Sequence, residues 1–319
     1  MLQNTMIHAE GLTKLYGNKV VVEDVSFDVG SGAVAGLLGP NGAGKSTIMK
    51  LLTGFIVPDS GEISIDGIDV LRNYRAAAVK IGYAPEIPPI FPDMTVEAYL
   101  FFVADIKGVR KSERASHVQV IMEMARVADV RGRLLKNLSK GYRQRVGIAQ
   151  ALVSFPPVLI LDEPAAGLDP AQIHQLRELL RSLAGKHTII LSSHILSEIS
   201  ILCDEVIIIN NGRVAARERI DNAADGDTTF LLSLKTSDRD RALACVGSVS
   251  GIVNAMPAGS MDNGLIIRLQ LDPGLDNAVE TREALFRALS AAQLPILELV
   301  RKRKNLEDIY MRATLGNMP

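Results

Sequence analysis

One short segment constrains the fold of this chain more than any other. Residues 39–46, Gly-Pro-Asn-Gly-Ala-Gly-Lys-Ser, fit the pattern G-x-x-x-x-G-K-[ST]. An apolar run, residues 33–38, precedes them, and a stretch of helical character, residues 46–53, follows. This arrangement predicts a buried strand, a turn whose backbone N–H groups surround phosphate oxygens, and a helix whose N-terminus faces the same anion.

Two side chains of this phosphate loop carry the predicted chemistry. Lys45 is expected to contact the β- and γ-phosphates of a nucleotide, and the Ser46 hydroxyl is expected to bind Mg²⁺. The alternative is a glycine-rich turn that opens a helix and holds an incidental lysine. Further motifs at compatible spacings favour the phosphate-binding interpretation.

A pair of acidic residues follows a second buried strand. Residues 158–161 are Val-Leu-Ile-Leu, and Asp162 and Glu163 come directly after them. Ligands of open α/β sheets bind at the carboxyl ends of the strands, so both acids are expected near the phosphate loop. Asp162 is predicted to hold Mg²⁺ through water, and Glu163 is predicted to accept a proton from the attacking water as a general base. Alternatively, the two acids only cap the next helix.

The alternation of strands and helices predicts an α/β fold with a largely parallel, covered sheet. Two strands near the start, joined by a turn at residues 17–19, predict an antiparallel β subdomain. A helical insertion is expected at about residues 90–155, within a first domain of residues 1–220. The polar segment 222–227 marks the boundary. Beyond it, residues 221–319 predict a small α+β domain with the order β-α-β-β-α-β, similar to a ferredoxin-like module.

Charge and hydropathy exclude several classes of protein. The formal net charge is −1, which argues against a nucleic-acid binder that relies on a basic surface. No apolar run approaches the roughly 20 residues of a membrane-spanning helix. The N-terminus lacks the pattern of a secretory signal, so a cytoplasmic location is expected, with Cys203 and Cys245 as reduced thiols.

A further segment resembles a family motif. Residues 138–145, Leu-Ser-Lys-Gly-Tyr-Arg-Gln-Arg, are similar to the signature motif of ATP-binding cassette (ABC) ATPases. The other matching segments are residues 12–17, similar to the adenine-stacking loop, residues 166–169, similar to the D-loop, and residues 192–194, similar to the switch histidine. The resemblance covers residues 6–217 and implies a P-loop NTPase core of the ABC ATPase type.

The resemblance also implies roles for individual residues. The ATP-binding set is Tyr16, Gly39, Pro40, Asn41, Gly42, Ala43, Gly44, Lys45, Ser46 and Thr47. The catalytic set is Glu163, His194 and Lys45, with Asp169 in the D-loop. Ser139, Lys140, Gly141 and Tyr142 are expected to meet the ATP of the opposite protomer, because the family clamps ATP between two copies of the fold.

Three positions depart from the commonest family pattern. The usual signature is Leu-Ser-Gly-Gly-Gln, whereas this chain has Lys140 and Tyr142 at the third and fifth positions. Lys140 either adds a cation to the phosphate contact or points into solvent, and Tyr142 is expected to contact the partner's ribose. Glu86 stands where the family usually has glutamine, and as a carboxylate it is predicted to help Ser46 and Asp162 hold Mg²⁺. Branches that serve gliding motility and copper-site maturation look similar at these departures.

The expected function is that of the ATP-binding and hydrolysing subunit of an ABC transporter, an exporter. Its cofactors are ATP and Mg²⁺. Its partners are a second cassette, as a homodimer or a paired cassette, and separate transmembrane permease subunits that hold it at the cytoplasmic face of the cell membrane. One alternative is a soluble ABC ATPase that acts on nucleic acid or the ribosome. Another is a scaffold that binds nucleotide without hydrolysis, which the presence of Glu163 and His194 disfavours.

Overall fold

The computed structural model describes residues 5–220, 229–261, 264–272, 278–301 and 306–315. The polar segment 222–227, which marks the predicted domain boundary, lies outside the described residues. The chain divides into two compact units, the first formed by Met1–Ile220 with Glu307–Pro319 and the second by Asp221–Leu306. No helix within the described ranges is both long and apolar enough to cross a membrane.

A six-stranded sheet forms the centre of the first unit. Its strands in spatial order are β10 (Arg213–Arg219), β9 (Glu205–Asn210), β3 (Val34–Leu38), β8 (Thr188–Ser193), β7 (Val158–Leu161) and β6 (Ile81–Ala84). All neighbouring pairs are parallel except β10 with β9. Every residue of β3, β7 and β8 is buried, as expected for parallel strands covered on both faces.

The predicted antiparallel subdomain is a second sheet of the first unit. Its strands in spatial order are β2 (Lys19–Gly30), β1 (Thr5–Tyr16), β4 (Ser60–Ile65) and β5 (Ile68–Asp69). β1 and β2 form the hairpin that the sequence predicts, with Tyr16 opposite Lys19. The inward side chains of this sheet join the buried side chains of the central sheet in one core.

Seven helices of the first unit precede residue 220. They are α1 (Lys45–Leu52), α2 (Tyr74–Val79), α3 (Val96–Ile106), α4 (Arg114–Met124), α5 (Lys140–Leu152), α6 (Pro170–Leu183) and α7 (Leu196–Leu202). The side chains of Thr95, Ser139 and Asp169 cap α3, α5 and α6 by accepting backbone N–H groups of the first turn. Helices α3 to α5 and two short 3₁₀ turns occupy the region of the predicted helical insertion.

The second unit is an α+β structure. Its elements are β11 (Thr229–Leu234), α8 (Arg239–Gly247), β12 (Ile252–Met261), β13 (Gly264–Leu271), α9 (Ala278–Ala291) and β14 (Ile296–Arg301). The sheet has the spatial order β12-β13-β11-β14 and is antiparallel throughout. Leu232, Ile267 and Leu289 are fully buried in a core made by the sheet and the two helices.

One part of the predicted second domain, 221–319, belongs elsewhere. The chain returns to the first unit at Glu307, which is the second residue of helix α10 (Leu306–Leu315). The side-chain amide of Asn210, at the end of β9, donates to the backbone carbonyl of Ala313 at 3.1 Å. The assignment of residues 307–319 to the second domain was therefore wrong, because this contact joins positions 103 residues apart and leaves no local sequence pattern.

Candidate functional site

The phosphate loop connects the end of β3 to the start of α1. Gly42 and Gly44 have φ angles of 80° and 106°, which glycine adopts without steric cost. A Cβ at Gly39 would lie 2.3 Å from the Ile209 carbonyl oxygen, so no larger residue fits there. The glycines of the motif are thus needed by the conformation of the loop and by its contact with β9.

Lys45 begins α1 and lies almost completely buried beneath the loop, with 5% of its side chain exposed. Its ammonium group donates to the carbonyl oxygens of Gly39 at 2.8 Å and Pro40 at 3.2 Å. It also lies 3.3 Å from Glu163 Oε1. This buried cation is therefore held between the loop and the end of β7.

The two acids after β7 are joined by a serine that the sequence interpretation did not single out. Asp162 Oδ1 accepts hydrogen bonds from Ser46 Oγ at 3.2 Å and from Ser192 Oγ at 2.7 Å. The same Ser192 hydroxyl accepts the Glu163 backbone N–H at 2.7 Å. Ser192 lies on β8, beside β7, and the adjacency of two parallel strand ends is the signal by which it could have been found.

Glu163 is fixed by contacts on both of its carboxylate oxygens. Oε1 faces Lys45, and Oε2 lies 2.9 Å from His194 Nδ1, which donates because a carboxylate only accepts. The backbone of Glu163 has φ of 46°, a conformation uncommon for a residue with a side chain. The side chain is 11% exposed, so a single oriented carboxylate faces the pocket beside a cation and an imidazole.

An open pocket of about 300 Å³ joins these groups. It is lined by Val21, Asn41, Gly42, Gly44, Lys45, Ser46, Thr47, Glu86, Glu163, Ala166 and His194. Asp162 is buried and hydrogen-bonded to Ser46. Burial of the Tyr83 phenol, together with the negative charge of Asp162, raises the pKa of Tyr83 to about 12. The structure thus brings together the predicted phosphate loop, carboxylates, histidine and Glu86.

Tyr16, predicted to stack on adenine, is not among the residues that line this pocket. It ends β1, and half of its surface is exposed. The ammonium group of Lys14 lies 6.0 Å from the centroid of its ring. The ring is therefore available to a planar ligand at the hairpin end, next to a cation.

Residues 139–142, the part of the signature segment that is expected to meet a partner's ATP, also lie outside the pocket. Ser139 caps α5, and a Cβ at Gly141 would lie 3.0 Å from the side chain of Gln172 in α6. The Lys140 side chain extends over Gly167, where a Cβ would lie 2.3 Å from its Nζ. Lys140 therefore contacts the loop of residues 166–169 of its own chain, which neither sequence alternative had anticipated.

Tyr142 and Asp169 are also bound within their own chain. The Tyr142 hydroxyl donates to Asp129 Oδ2 at 2.5 Å, and its ring packs 4.2 Å from the guanidinium carbon of Arg145. The hydrogen bond to Asp129 raises the pKa of the Tyr142 phenol. Asp169 accepts the Gln172 backbone N–H at 2.8 Å as part of a reciprocal cap of α6. Within the single chain, the hydroxyl of Tyr142, which is expected to contact a partner's ribose, is thus bonded to Asp129.

Comparison with known proteins decides the family. The family model described as ABC transporter matches residues 22–166. An uncharacterized ABC transporter ATP-binding protein, YcbN of Bacillus subtilis (strain 168), is 32% identical over 314 residues, which are 98% of this chain and 98% of the relative. This chain belongs to the ATP-binding subunits of ABC transporters.

Two further comparisons cover this ABC subunit to different extents. Nod factor export ATP-binding protein I of Paraburkholderia xenovorans (strain LB400) is 32% identical over 318 residues, 97% of this chain and 96% of the relative. The solved structure of cbiO1 from Clostridium perfringens, described as part of the ABC transporter complex cbiONQ, is 28% identical. It superimposes with a TM-score of 0.63 over 68% of this chain and 90% of its own.

The predicted fold class and the predicted enzyme class are confirmed by these comparisons. The subunit has the α/β core of an ABC ATPase with an antiparallel subdomain, and it binds and hydrolyses ATP for a transporter. Neither relative nor the solved structure is named for nucleic acid or the ribosome. The alternative of a soluble factor therefore has no support.

Proposed function

We propose that this ABC subunit hydrolyses ATP to drive an exporter, as one of two cassettes that face each other across ATP. The observation that carries the proposal is the carboxylate of Glu163, oriented between Lys45 and His194 at the mouth of the phosphate pocket. Export is supported by the relative of Paraburkholderia xenovorans, which is named for Nod factor export and matches along 97% of this chain.

Each group of the pocket has a role in the proposed reaction. The loop of residues 39–47 holds the phosphates through backbone N–H groups, and Lys45 exchanges its carbonyl partners for phosphate oxygens. Glu163 accepts a proton from the water that attacks the γ-phosphorus, while the bond from this phosphorus to the bridging oxygen of ADP breaks. His194 orients the Glu163 carboxylate through Nδ1 and lines the pocket where the γ-phosphate is expected.

The oxygen donors at this pocket fit Mg²⁺, which prefers carboxylate, hydroxyl and phosphate oxygens and retains several waters. Ser46 Oγ and Asp162 Oδ1 are 3.2 Å apart, and the exposed Glu86 lines the same pocket. We propose that Ser46 binds the ion directly, that Asp162 holds it through water, and that Glu86 adds a second carboxylate. The ion would neutralise charge on the β- and γ-phosphates.

The signature segment supports the proposal of two facing cassettes. Ser139 is exposed at the N-terminus of α5, where backbone N–H groups and the helix dipole favour an anion. The segment does not line the pocket of its own chain. We propose that it binds the γ-phosphate held by a partner cassette, either a second copy of this chain or a paired subunit.

An exposed apolar surface beside Glu86 supports a separate membrane partner. Ile87 is 82% exposed and Ile106 is 69% exposed, and the rings of Phe91 and Phe102, which lie between them in the sequence, meet edge to face at 5.3 Å. Exposed apolar surface of this kind marks a site of protein interaction. We propose that a permease on the cytoplasmic face of the cell membrane docks here, in keeping with the membership of cbiO1 in a transporter complex.

The domain division is part of the same proposal. Residues 1–220, with a helical insertion at about residues 90–155, form the nucleotide-binding domain, and α10 completes it. The second unit, described from Thr229 to Arg301, is an accessory unit. Its order β-α-β-β-α-β is supported as ferredoxin-like by the antiparallel sheet with β11 at an inner position.

The substitution Glu163→Gln tests the proposal. The amide cannot accept the proton, so we expect hydrolysis to fall by roughly 10²- to 10⁴-fold while ATP binding is retained. The protein should then accumulate as a dimer in ATP and Mg²⁺, measured by size-exclusion chromatography with light scattering.

The matched control for this test is Glu62→Gln, which changes an exposed carboxylate on β4 and should behave as the unsubstituted chain. A Glu163→Gln protein that remains monomeric at saturating ATP and Mg²⁺ would contradict the dimer. Undiminished hydrolysis would contradict the role of Glu163.

A further inference from the structure

The turn between β9 and β10 forms the floor of the phosphate loop. The backbone N–H of Gly212 donates to the carbonyl oxygen of Ala43 at 3.0 Å. A Cβ at Gly39 would lie 2.3 Å from the Ile209 oxygen, and a Cβ at Gly44 would lie 3.6 Å from Gly212 Cα. The loop thus contacts β9 at Gly39 and the turn at Ala43 and Gly44.

Local backbone geometry and contacts with Glu23 hold this turn. Asn211 and Gly212 have φ angles of 49° and 78°, the positive values that a tight two-residue hairpin turn requires. The Gly212 carbonyl oxygen accepts the Glu23 backbone N–H at 2.8 Å, and Arg213 pairs with the Glu23 carboxylate. A displacement of the turn would therefore be transmitted to the phosphate loop.

The side chain of Asn210, the last residue of β9, joins helix α10 to the residue before this turn. Asn210 Nδ2 donates to the carbonyl oxygens of Ala313 at 3.1 Å and Thr314 at 3.5 Å. These carbonyls belong to the last turn of α10, where intrahelical partners are missing. The amide of Asn210 therefore joins the end of a helix to the residue that precedes the floor of the loop.

The contact between Asn210 and α10 joins parts of the first unit that the second unit separates in the sequence. The chain leaves the first unit after Ile220, forms the second unit, and re-enters the first unit at Glu307. The segment that returns from the accessory unit is thus the one that Asn210 binds.

We propose that Asn210 is a positioning residue for the phosphate loop, and that α10 stabilises the nucleotide-binding form of the loop through it. This inference rests on the proposed role of residues 39–47 in binding phosphate. It assigns a regulatory connection to the helix that follows the accessory unit.

The test compares Asn210→Asp with Asn210→Ala in the full chain. A carboxylate cannot donate and would face two carbonyl oxygens, so the Asp variant should release α10 more completely than the Ala variant. We expect the Kd for a fluorescent ADP analogue with Mg²⁺ to rise about threefold to tenfold in the Asp variant, and less in the Ala variant. The kcat at saturating ATP should remain within about twofold, because Glu163 and His194 are untouched.

Hydrogen exchange supplies a readout that a general loss of stability would not reproduce. In the Asp variant, the amides of residues 39–47 should exchange faster at a temperature well below unfolding, while those of the buried strand β7 should not. Met311→Ala, which truncates a half-exposed side chain of α10, is the matched control and should change neither affinity nor exchange. Unchanged ADP affinity and exchange in Asn210→Asp would overturn the inference.

Lys45→Ala separates failure of this inference from failure of the proposed phosphate site. If Lys45→Ala weakens ADP binding strongly and Asn210→Asp does not, only the role of Asn210 is wrong. If Lys45→Ala binds ADP as the unsubstituted chain does, the proposed phosphate site itself is wrong.

Discussion

The phosphate pocket and the signature segment use their polar side chains in opposite ways. In the pocket, Lys45, Asp162 and Glu163 are nearly buried and contact one another or the residues beside them. In the signature segment, Lys140 and Tyr142 are bound to parts of their own chain that lie outside the pocket, Gly167 and Asp129. The polar side chains of the pocket are therefore arranged around the space that a ligand would fill, whereas Lys140 and Tyr142 contact other parts of their own chain.

This difference changes how the departures from the family pattern are understood. A residue at position 140 or 142 alters how the segment is held against the D-loop and the 3₁₀ turn at Ala128–Val130. Ser139 and Gly141 then remain for the proposed contact with a partner's phosphate. The comparison is sharpened by experiments that treat the two regions separately.

The largest expected effect comes from placing one defect in each region. Lys45→Ala damages the pocket, and Ser139→Asp keeps the cap of α5 while adding a negative charge where a partner's phosphate would bind. Each variant alone should lose roughly 10²-fold or more of its ATPase rate. In a 1:1 mixture, half of the dimers are mixed and have one intact site, so about a quarter of the unsubstituted rate should return.

The control for this mixture is each variant mixed with itself under the same conditions. Recovery requires that the pocket and the segment act on one ATP from different chains. A mixture no more active than the sum of its parts would show that they do not.

The contrast between the two regions also explains what the sequence could predict. The phosphate loop, Asp162 and Glu163 follow from local patterns at strand ends, because parallel strands bring their carboxyl ends to one edge. His194 was assigned by the resemblance of residues 192–194 to the family motif. Glu86 was predicted from its place in the family pattern, where glutamine is usual, and it lines the same pocket. Formation of the correct sheet is enough to bring these residues together.

The signature segment and α10 were less predictable for a physical reason. Lys140 meets Gly167, Tyr142 meets Asp129, and Asn210 meets Ala313, and each contact depends on how separate helices, turns and loops pack. No periodicity in the sequence encodes which partner an exposed lysine or tyrosine selects. Strand β4 and helix α2 were also omitted, although β4 has alternating burial that a strand pattern reflects.

A moderate effect is expected in the pocket for Glu86→Gln. The amide keeps the shape but removes one negative charge from the proposed Mg²⁺ site, so half-maximal ATPase activity should require a Mg²⁺ concentration about two to ten times higher. Titration of Mg²⁺ at saturating ATP measures this shift. The same titration of Glu62→Gln is the control, and identical curves for Glu86→Gln would remove Glu86 from the site.

The smallest effect is expected for Tyr142→Phe in the signature segment. The loss of the hydroxyl removes the bond to Asp129, which is partly open to water, so the free energy of unfolding should fall by at most about 1 kcal/mol. Chemical denaturation measures this change. Because the bond lies within the chain, the affinity for ATP should stay the same, and a clear loss of affinity would favour the ribose contact instead.

The discontinuity of the first unit has a consequence for its biosynthesis. Asn210 and Ala313 are separated by 103 residues, and at about 5–20 residues per second these take roughly 5 to 20 s to synthesise. Throughout this interval the nascent nucleotide-binding domain has its phosphate loop but not α10. Because the stabilisation that a ligand gives a fold grows with its affinity, the proposed role of α10 implies that ATP stabilises the nascent domain fully only after the accessory unit has been made.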